Sequence, residues 1–188
     1  MIRSLFCAFL LLCTFVTTAQ DKNWSIEVSY PISTNDAFAS SNQGTLGAGI
    51  KYRFVDLRKF RLGVSADITW FATTIVNDSD PVQEFNYRDV FIQPGFFVEG
   101  PLSANGKLRF SAGVGWTWLY SRGGRAFFDE FGRVQGVDWA NGLNLNIGLI
   151  YDITPSIFVQ TQYDHLFISG DVTDGNIGLI KLGGGFRF

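Results

Sequence analysis

The strongest constraint in this sequence is a two-residue alternation of apolar and polar side chains, which returns in eight separate segments. Successive residues of a β-strand point to opposite faces, so this alternation predicts strands with one apolar and one polar face. In the clearest case, from Lys107 to Trp118, apolar residues alternate with lysine, arginine, serine, glycine and threonine. The eight segments span residues 24–30, 45–54, 60–70, 87–98, 107–118, 139–152, 157–168 and 177–188.

The lengths of the segments and of their connections predict how the strands close. Most segments have about 10 to 13 residues, close to the roughly 9–11 with which a tilted strand crosses a bilayer. A bilayer offers no water to backbone groups, so strands cross it only as a closed barrel with the apolar face outward. Short connections, at 55–59, 100–106 and 154–156, alternate with longer ones. The predicted fold class is all-β, an eight-stranded antiparallel up-and-down transmembrane β-barrel.

The fourth segment departs from clean alternation. Val90 and Ile92 lie on one face, but Phe91 and Phe97 lie on the other. Pro94 lacks a backbone N–H group and therefore predicts a bulge or a local bend in this strand. The seventh and eighth segments also alternate less cleanly than the other five.

The N-terminus has the three parts of a secretory signal peptide. Arg3 supplies the positive start, and Leu5 to Val16 form an apolar stretch that ends in small residues. An N-terminal membrane anchor is the alternative, but it requires about 20 apolar residues. We therefore expect cleavage after Ala19, which divides the chain into a signal peptide (1–19) and a barrel domain (20–188).

Cysteine and charge content exclude several classes of function. Both cysteines, Cys7 and Cys13, lie in the predicted signal, so the mature chain is expected to have no disulfide and no cysteine metal site. Removing Arg3 from the 15 Lys and Arg leaves 14 against 17 Asp and Glu. This acidic balance, without a basic cluster, argues against a nucleic-acid partner.

A secreted, lipocalin-like barrel is the soluble alternative. Its apolar face points inward, and the alternation alone does not say which face lies inside. The polar face here mixes glycine, serine, threonine and asparagine with charges of both signs, as a crowded polar lumen requires, and Trp24 lacks the Gly-x-Trp signature of lipocalins.

Aromatic residues near both ends of the apolar faces predict two girdles at the membrane interfaces. These are Trp24, Phe54, Phe60, Tyr151 and Phe188 at one end, and Tyr30, Trp70, Trp118, Trp139 and Phe167 at the other.

The C-terminal residues form the most specific motif. Lys181, Gly183, Phe186 and Phe188 match the signal recognised during outer-membrane assembly: a polar residue, a glycine two positions later, and apolar residues at the antepenultimate and final positions. With this motif, the mature chain resembles the outer membrane protein β-barrel domain family, the small porin-like proteins of the OmpX type. The resemblance implies the fold and a bacterial outer-membrane location, whereas members of that family differ in function.

The polar faces predict a lumen filled by side chains, because eight strands enclose a space that side chains can fill. Inward charges are then expected to form a network of ion pairs, with Lys181 contacting Glu27 or Asp164. This arrangement disfavours a wide pore. The predicted network contains Glu27, Lys51, Arg61, Asp67, Asp164 and Lys181.

An enzymatic function has one candidate residue, His165, the only histidine in the chain. Some eight-stranded barrels are lipid A deacylases with a His-x-Ser-Asn motif near this position. Here Ser169 follows four residues later, roughly 13 Å along a strand, which is too far for proton transfer. The stretch from Asp171 to Asn176 lacks the ligand spacing of a calcium loop. We therefore expect neither catalysis nor a cofactor.

Together these features predict a structural or interaction protein of the outer membrane that acts through its extracellular loops. A narrow channel and a lipid A-modifying enzyme are the alternatives. The partners expected are outer-membrane lipid and lipopolysaccharide, the barrel-assembly machinery and an unidentified extracellular partner. We expect the barrel to be a monomer. The aromatic stretch 127–134 is predicted to extend the fifth and sixth strands as a hairpin above the membrane.

Overall fold

A computed structural model describes residues 22–34, 38, 42–77, 83–123, 137–170 and 175–188. The predicted signal peptide and the stretch 127–134 lie outside the described residues. Eight strands account for nearly all of the described chain. They are β1 (Trp24–Ser33), β2 (Asn42–Leu57), β3 (Phe60–Asn77), β4 (Gln83–Pro101), β5 (Leu108–Gly123), β6 (Val137–Asp152), β7 (Ile157–Gly170) and β8 (Gly175–Arg187).

The strands form a closed antiparallel barrel in which each strand pairs with its neighbours in the sequence. β1 closes the sheet against β8, and Trp24 and Phe188 exchange backbone hydrogen bonds at the seam. The predicted fold class is therefore confirmed. In the described part of the chain, no helix has the length and apolarity needed to cross a membrane.

The two ends of the barrel differ in their connections. The end with Phe188 also has the connections 58–59, 102–107 and 153–156, and we call it the turn end. The opposite end, the loop end, has the connections 34–41, 78–82, 124–136 and 171–174. In outer-membrane barrels the short turns face the periplasm and the longer loops face outward, so the turn end is the periplasmic end of this barrel.

The strand ends differ from the sequence prediction at the loop end. β3 continues to Asn77 and β4 begins at Gln83, although the alternating segments end at residue 70 and begin at residue 87. Pairs such as Ile75 with Phe85 extend the ladder. The β-branched and aromatic residues in this region favour strand structure. The hydrogen-bonded ladder therefore extends beyond the segments in which apolar and polar residues alternate.

The sequence predicts a bulge or a local bend at Pro94, and no bulge is present there. β4 keeps one register with β5 on both sides of this residue, since Ile92 pairs with Trp118 and Gly95 pairs with Gly115. Proline cannot donate to the ladder, and the pairing with β5 is simply interrupted there. The register shifts that do occur lie between β2 and β3, at Gly44/Leu46 and Arg53/Val55.

The outer surface of the barrel is a belt of exposed apolar side chains. Phe96 is 64% exposed, Ile147 is 61% exposed and Val28 is 59% exposed. Such a surface is suited to lipid rather than to water. Of the residues predicted to form the two girdles, the following point outward and are exposed: Trp24, Phe54, Phe60 and Tyr151 at the turn end, and Tyr30, Trp118, Trp139 and Phe167 at the loop end.

Candidate functional site

The lumen is the candidate functional site, because the inward faces of all eight strands bring their polar residues together there. Eight strands leave an interior of about the size that side chains can fill. From the turn end to the loop end, the filling consists of a charged ring, a hydrogen-bonded crossbar and an apolar layer.

The charged ring surrounds the turn end of the lumen. Arg53 donates two hydrogen bonds to Glu99, at 2.7 and 3.0 Å, which is the bidentate geometry that strengthens such pairs. Arg109 lies 3.5 Å from Glu99 and 3.3 Å from Asp152. Arg187 contacts Asp152 at 2.7 Å. Three guanidinium groups thus share two carboxylates, and the ring joins β2, β4, β5, β6 and β8.

The crossbar spans the lumen at mid-height. Lys181 on β8 contacts Asp164 on β7 at 2.6 Å and donates to Gln93 Oε1, on the opposite wall, at 2.7 Å. Gln93 donates to Thr117 at 3.4 Å, and Asn144 donates to the same hydroxyl at 3.0 Å. The chain of contacts therefore runs from β7 and β8 across to β4, β5 and β6.

A second ion pair lies beside the crossbar. Lys51 Nζ lies 3.0 Å from Glu27 Oε2, and both side chains are only 4% exposed. Gln160 donates to the same carboxylate at 2.7 Å. Asp67 lies on the inner face of β3, opposite Gly49 and Gln93, where it interacts electrostatically with both lumen lysines.

The loop half of the lumen contains a layer of apolar side chains, although the alternation predicts a polar inner face. Asp89 is also buried at this end, where Ser121 donates a hydrogen bond to it. Neighbouring strands place the apolar side chains at one level, since Phe91 pairs with Leu119 and Leu119 pairs with Ala140. Phe38 covers them, with its ring 5.3 Å from that of Phe71. We call this group the apolar layer. It comprises Phe71, Phe91, Leu119, Ala140, Leu166, Ile168, Ile177 and Leu179, each at most 3% exposed.

The structure distributes the predicted charge network over two places. Five of its members point into the lumen: Glu27, Lys51, Asp67, Asp164 and Lys181. Arg61 does not, because it lies just after the β2–β3 turn and pairs with the exposed Asp56 at 3.3 Å. The position of Arg61 in the network is therefore corrected to the rim of the turn end.

The partner of Lys181 is Asp164 and not Glu27. In the ladder between β1 and β8, Lys181 lies opposite Pro31, and Glu27 lies opposite Gly185. Four residues along a strand separate the two levels by roughly 13 Å. Lys181 lies directly opposite Gln162 on β7. Asp164 is two residues further along β7 on the same face, so it is the diagonal neighbour that Lys181 reaches.

Sequence reasoning missed the charged ring and the apolar layer. The ring residues lie near the strand ends, where the segment boundaries were least certain. The sequence does contain a sign of the apolar layer, because successive residues are apolar at Trp70–Phe71, at Trp118–Leu119 and over the three residues Leu166–Ile168. Two apolar faces on one strand indicate burial on both sides.

The residues of the C-terminal motif also have structural positions. Gly183 faces inward, where an added Cβ would lie 2.1 Å from the carbonyl oxygen of Val28, so only glycine fits there. Lys181 belongs to the crossbar. The rings of Phe186 and Phe188 stack at 6.3 Å.

His165 lies on the outer face of β7, as the alternation predicts. Its Nδ1 is 3.2 Å from the hydroxyl oxygen of Tyr163, and its ring meets that of Phe167 edge-on at 4.6 Å. Within the described residues, no three His, Cys, Asp or Glu side chains group together so as to hold a metal ion.

No protein-family model matches the chain, and no curated protein matches its sequence. Solved structures do match it. The attachment invasion locus protein Ail of Yersinia pestis, crystallised with the heparin analogue sucrose octasulfate, aligns with a TM-score of 0.58 and 13% identity over 88% of this chain and 98% of that one. Neisserial surface protein A gives 0.55 and 12% over 87% and 95%. The outer membrane protein OprG of Pseudomonas aeruginosa gives 0.52 and 11% over 88% and 95%.

This chain has the fold of the small eight-stranded outer-membrane β-barrels. The closed antiparallel sheet and the apolar outer belt agree with that assignment and place the protein in the bacterial outer membrane. At these identities the likeness extends to the fold alone. Proteins that share a fold differ in function, which depends on the side chains that each one carries.

Proposed function

We propose that this protein is a sealed outer-membrane barrel with a structural or interaction role, carried by its surface and its loops rather than by conduction or catalysis. The apolar layer is the observation that carries the proposal. A hydrated ion that follows the lumen would have to lose its water among apolar side chains, which is costly without compensating ligands. The crossbar adds a second obstruction on the same path.

Conductance in planar bilayers tests the seal. We expect no steady unitary currents from the refolded wild-type barrel. The double variant Phe91→Ala/Gln93→Ala shortens one inward residue of the apolar layer and one of the crossbar, so it should leak ions. The matched control is Ile92→Ala/Phe96→Ala, which removes side chains from the outer face of the same strand and should remain silent. Steady currents from the wild type would favour the narrow channel instead.

The position of His165 supports a non-enzymatic role. The ring faces lipid, and its near neighbours are the aromatic side chains of Tyr163 and Phe167. Aromatic and amphipathic rings are common at this level of a membrane protein without any chemistry. Replacing His165 with alanine is expected to leave the lipid A species of the cell unchanged. A deacylated species that disappears in the variant would contradict the proposal.

The loop sequences restrict the extracellular partner. Residues 35–41, 78–82, 124–136 and 171–174 together contain seven acidic and two basic residues. Ail was crystallised with a sulfated, strongly anionic ligand. An anion of that kind would be repelled by such acidic loops. We therefore propose that the partner of this barrel is cationic, or that divalent cations bridge the loops to lipopolysaccharide phosphates.

The C-terminal motif supports the barrel-assembly machinery as a second partner. We expect deletion of Phe188 to lower the outer-membrane yield severalfold, because the terminal residue belongs to the proposed recognition signal. Phe186→Leu, which keeps an apolar side chain at the antepenultimate position, is the control and should retain the yield. Quantitative immunoblotting of membrane fractions measures both. Normal insertion after the deletion would show that the motif match is accidental.

A further inference from the structure

The rim of the turn end carries cationic side chains that the lumen does not use; Arg58, Lys59 and Lys107 are exposed, and Lys22 and Arg61 are half-buried. Arg58, Lys59 and Arg61 lie at the β2–β3 turn, Lys107 lies in the connection before β5, and Lys22 precedes β1. Lys22 donates to Ser156 at 2.7 Å, which places it beside the β6–β7 turn. The cations therefore occur around the whole rim and not on one side of it.

Nearby carboxylates do not neutralise this charge. In the charged ring, the two acids Glu99 and Asp152 already face three arginines. Among the described side chains at the rim, the exposed carboxylate is Asp56, which pairs with Arg61. The turn end thus has a surplus of positive charge in a chain that is acidic overall and whose loop sequences are acidic.

Arg58, one of the two cations in the β2–β3 turn, has an unfavourable backbone conformation for its residue type. Arg58 has a φ angle of 57°, in the left-handed region where glycine and asparagine are favoured. Beside it, a cavity of about 290 Å³ opens between the β2–β3 and β4–β5 connections. Four cations, Arg58, Lys59, Arg61 and Arg109, line this cavity together with three acids, Asp56, Glu99 and Asp152. Such sparsely populated backbone conformations cluster at functional sites, which supports a binding role for this turn.

We propose that the turn end is a docking surface for an extended polyanion that carries carboxylates, the chemistry of the cell-wall polymer beneath the outer membrane. The cations are distributed over several connections, so they suit a chain-like ligand better than one small ion. They also surround the open mouth of the lumen, where the partner arrives from the aqueous side. Charge complementarity of this kind gives specificity and favours fast association.

Co-sedimentation of the full-length barrel in zwitterionic detergent with purified, insoluble cell-wall sacculi tests the proposal. The variant Arg58→Asn/Lys59→Gln removes two exposed cations, and asparagine suits the left-handed position. We expect about tenfold weaker binding, since one exposed charge contributes a factor of about three. The control Arg88→Gln/Arg122→Gln removes two charges where β4 and β5 pair near the loop end, and it should bind like the wild type.

Two further measurements identify the anion. Sacculi whose carboxylates have been converted to amides should not bind the barrel. Vesicles of phosphatidylglycerol in phosphatidylcholine test an anionic lipid surface as the partner instead, and we expect weaker binding to them than to sacculi. The difference between heated and unheated mobility in electrophoresis should be the same for the variants and the wild type, which shows that the barrels are folded.

Several outcomes would overturn the proposal. These are a wild-type barrel that does not sediment with sacculi, equal losses in the variant and the loop-end control, unchanged binding to amidated sacculi, and stronger binding to the anionic vesicles.

Discussion

The two halves of the lumen are lined by the same strands but are filled in different ways. Toward the turn end, charged and amide side chains pair across the barrel, as in Arg53 with Glu99 and Lys181 with Gln93. Toward the loop end, rings and aliphatic side chains such as Phe91 and Leu119 form a packed apolar layer. The contrast shows that the inward face of a strand need not be polar along its whole length. The closed barrel requires only that its interior is filled by close-packed side chains, whether polar or apolar.

The two kinds of filling differ in how they respond to the loss of one group. An ion pair specifies a partner, and its disruption leaves an uncompensated charge in a confined space. An apolar layer specifies volume, and its disruption leaves a cavity that neighbours can partly close. We therefore expect the turn half to be the more sensitive to a single substitution.

The largest expected effect is that of Lys181→Met. Removing the lysine leaves Asp164 buried without its cation, and breaking a buried pair costs about 3–5 kcal/mol. Lys181→Met/Asp164→Asn should recover most of this loss, whereas Lys181→Met/Glu27→Gln should not, because Glu27 pairs with Lys51. Urea unfolding in lipid vesicles, followed by tryptophan fluorescence, measures all three. Equal rescue by the two second substitutions would contradict the assigned pairing.

The next effect in size is that of Leu119→Ala in the apolar layer. Leu119 is fully buried, and its truncation should cost about 2–4 kcal/mol, from lost burial and from the cavity that remains. Val114→Ala, on the outer face of the same strand, is the control. Lipid chains replace its contacts, so a change below about 1 kcal/mol is expected. The same unfolding assay compares the two, and similar losses would mean that the layer is loosely packed.

The smallest expected effect is that of Arg61→Gln at the rim. The side chains of Arg61 and Asp56 are 42% and 62% exposed, and exposed pairs contribute between about 0 and 1 kcal/mol. Raising the salt concentration should remove the difference from the wild type, because exposed charges are screened. A loss as large as that of Lys181→Met would place Arg61 in the lumen network after all.

The two-residue alternation alone predicted that the lumen charges point inward. Glu27, Lys51, Asp164 and Lys181 all occupy the polar face of their alternating segments, and all lie inside. The alternation did not predict the position of Arg61, because a residue next to a tight turn can direct its side chain out of the end of the lumen. It also gave no warning of Arg53 with Glu99, which lie on strands that are not neighbours.

The sequence by itself determined the number of strands, their antiparallel order, the apolar exterior and the polar residues available to the lumen. A period of two residues carries this information, because it fixes which face each side chain joins. Only the tertiary structure decided which inward residues meet. The stagger between strands sets the height of each side chain in the barrel, and it brought Lys181 to Asp164 and to Gln93 across the lumen. The apolar layer was decided in the same way, because its members come from six strands and meet at one level only after closure.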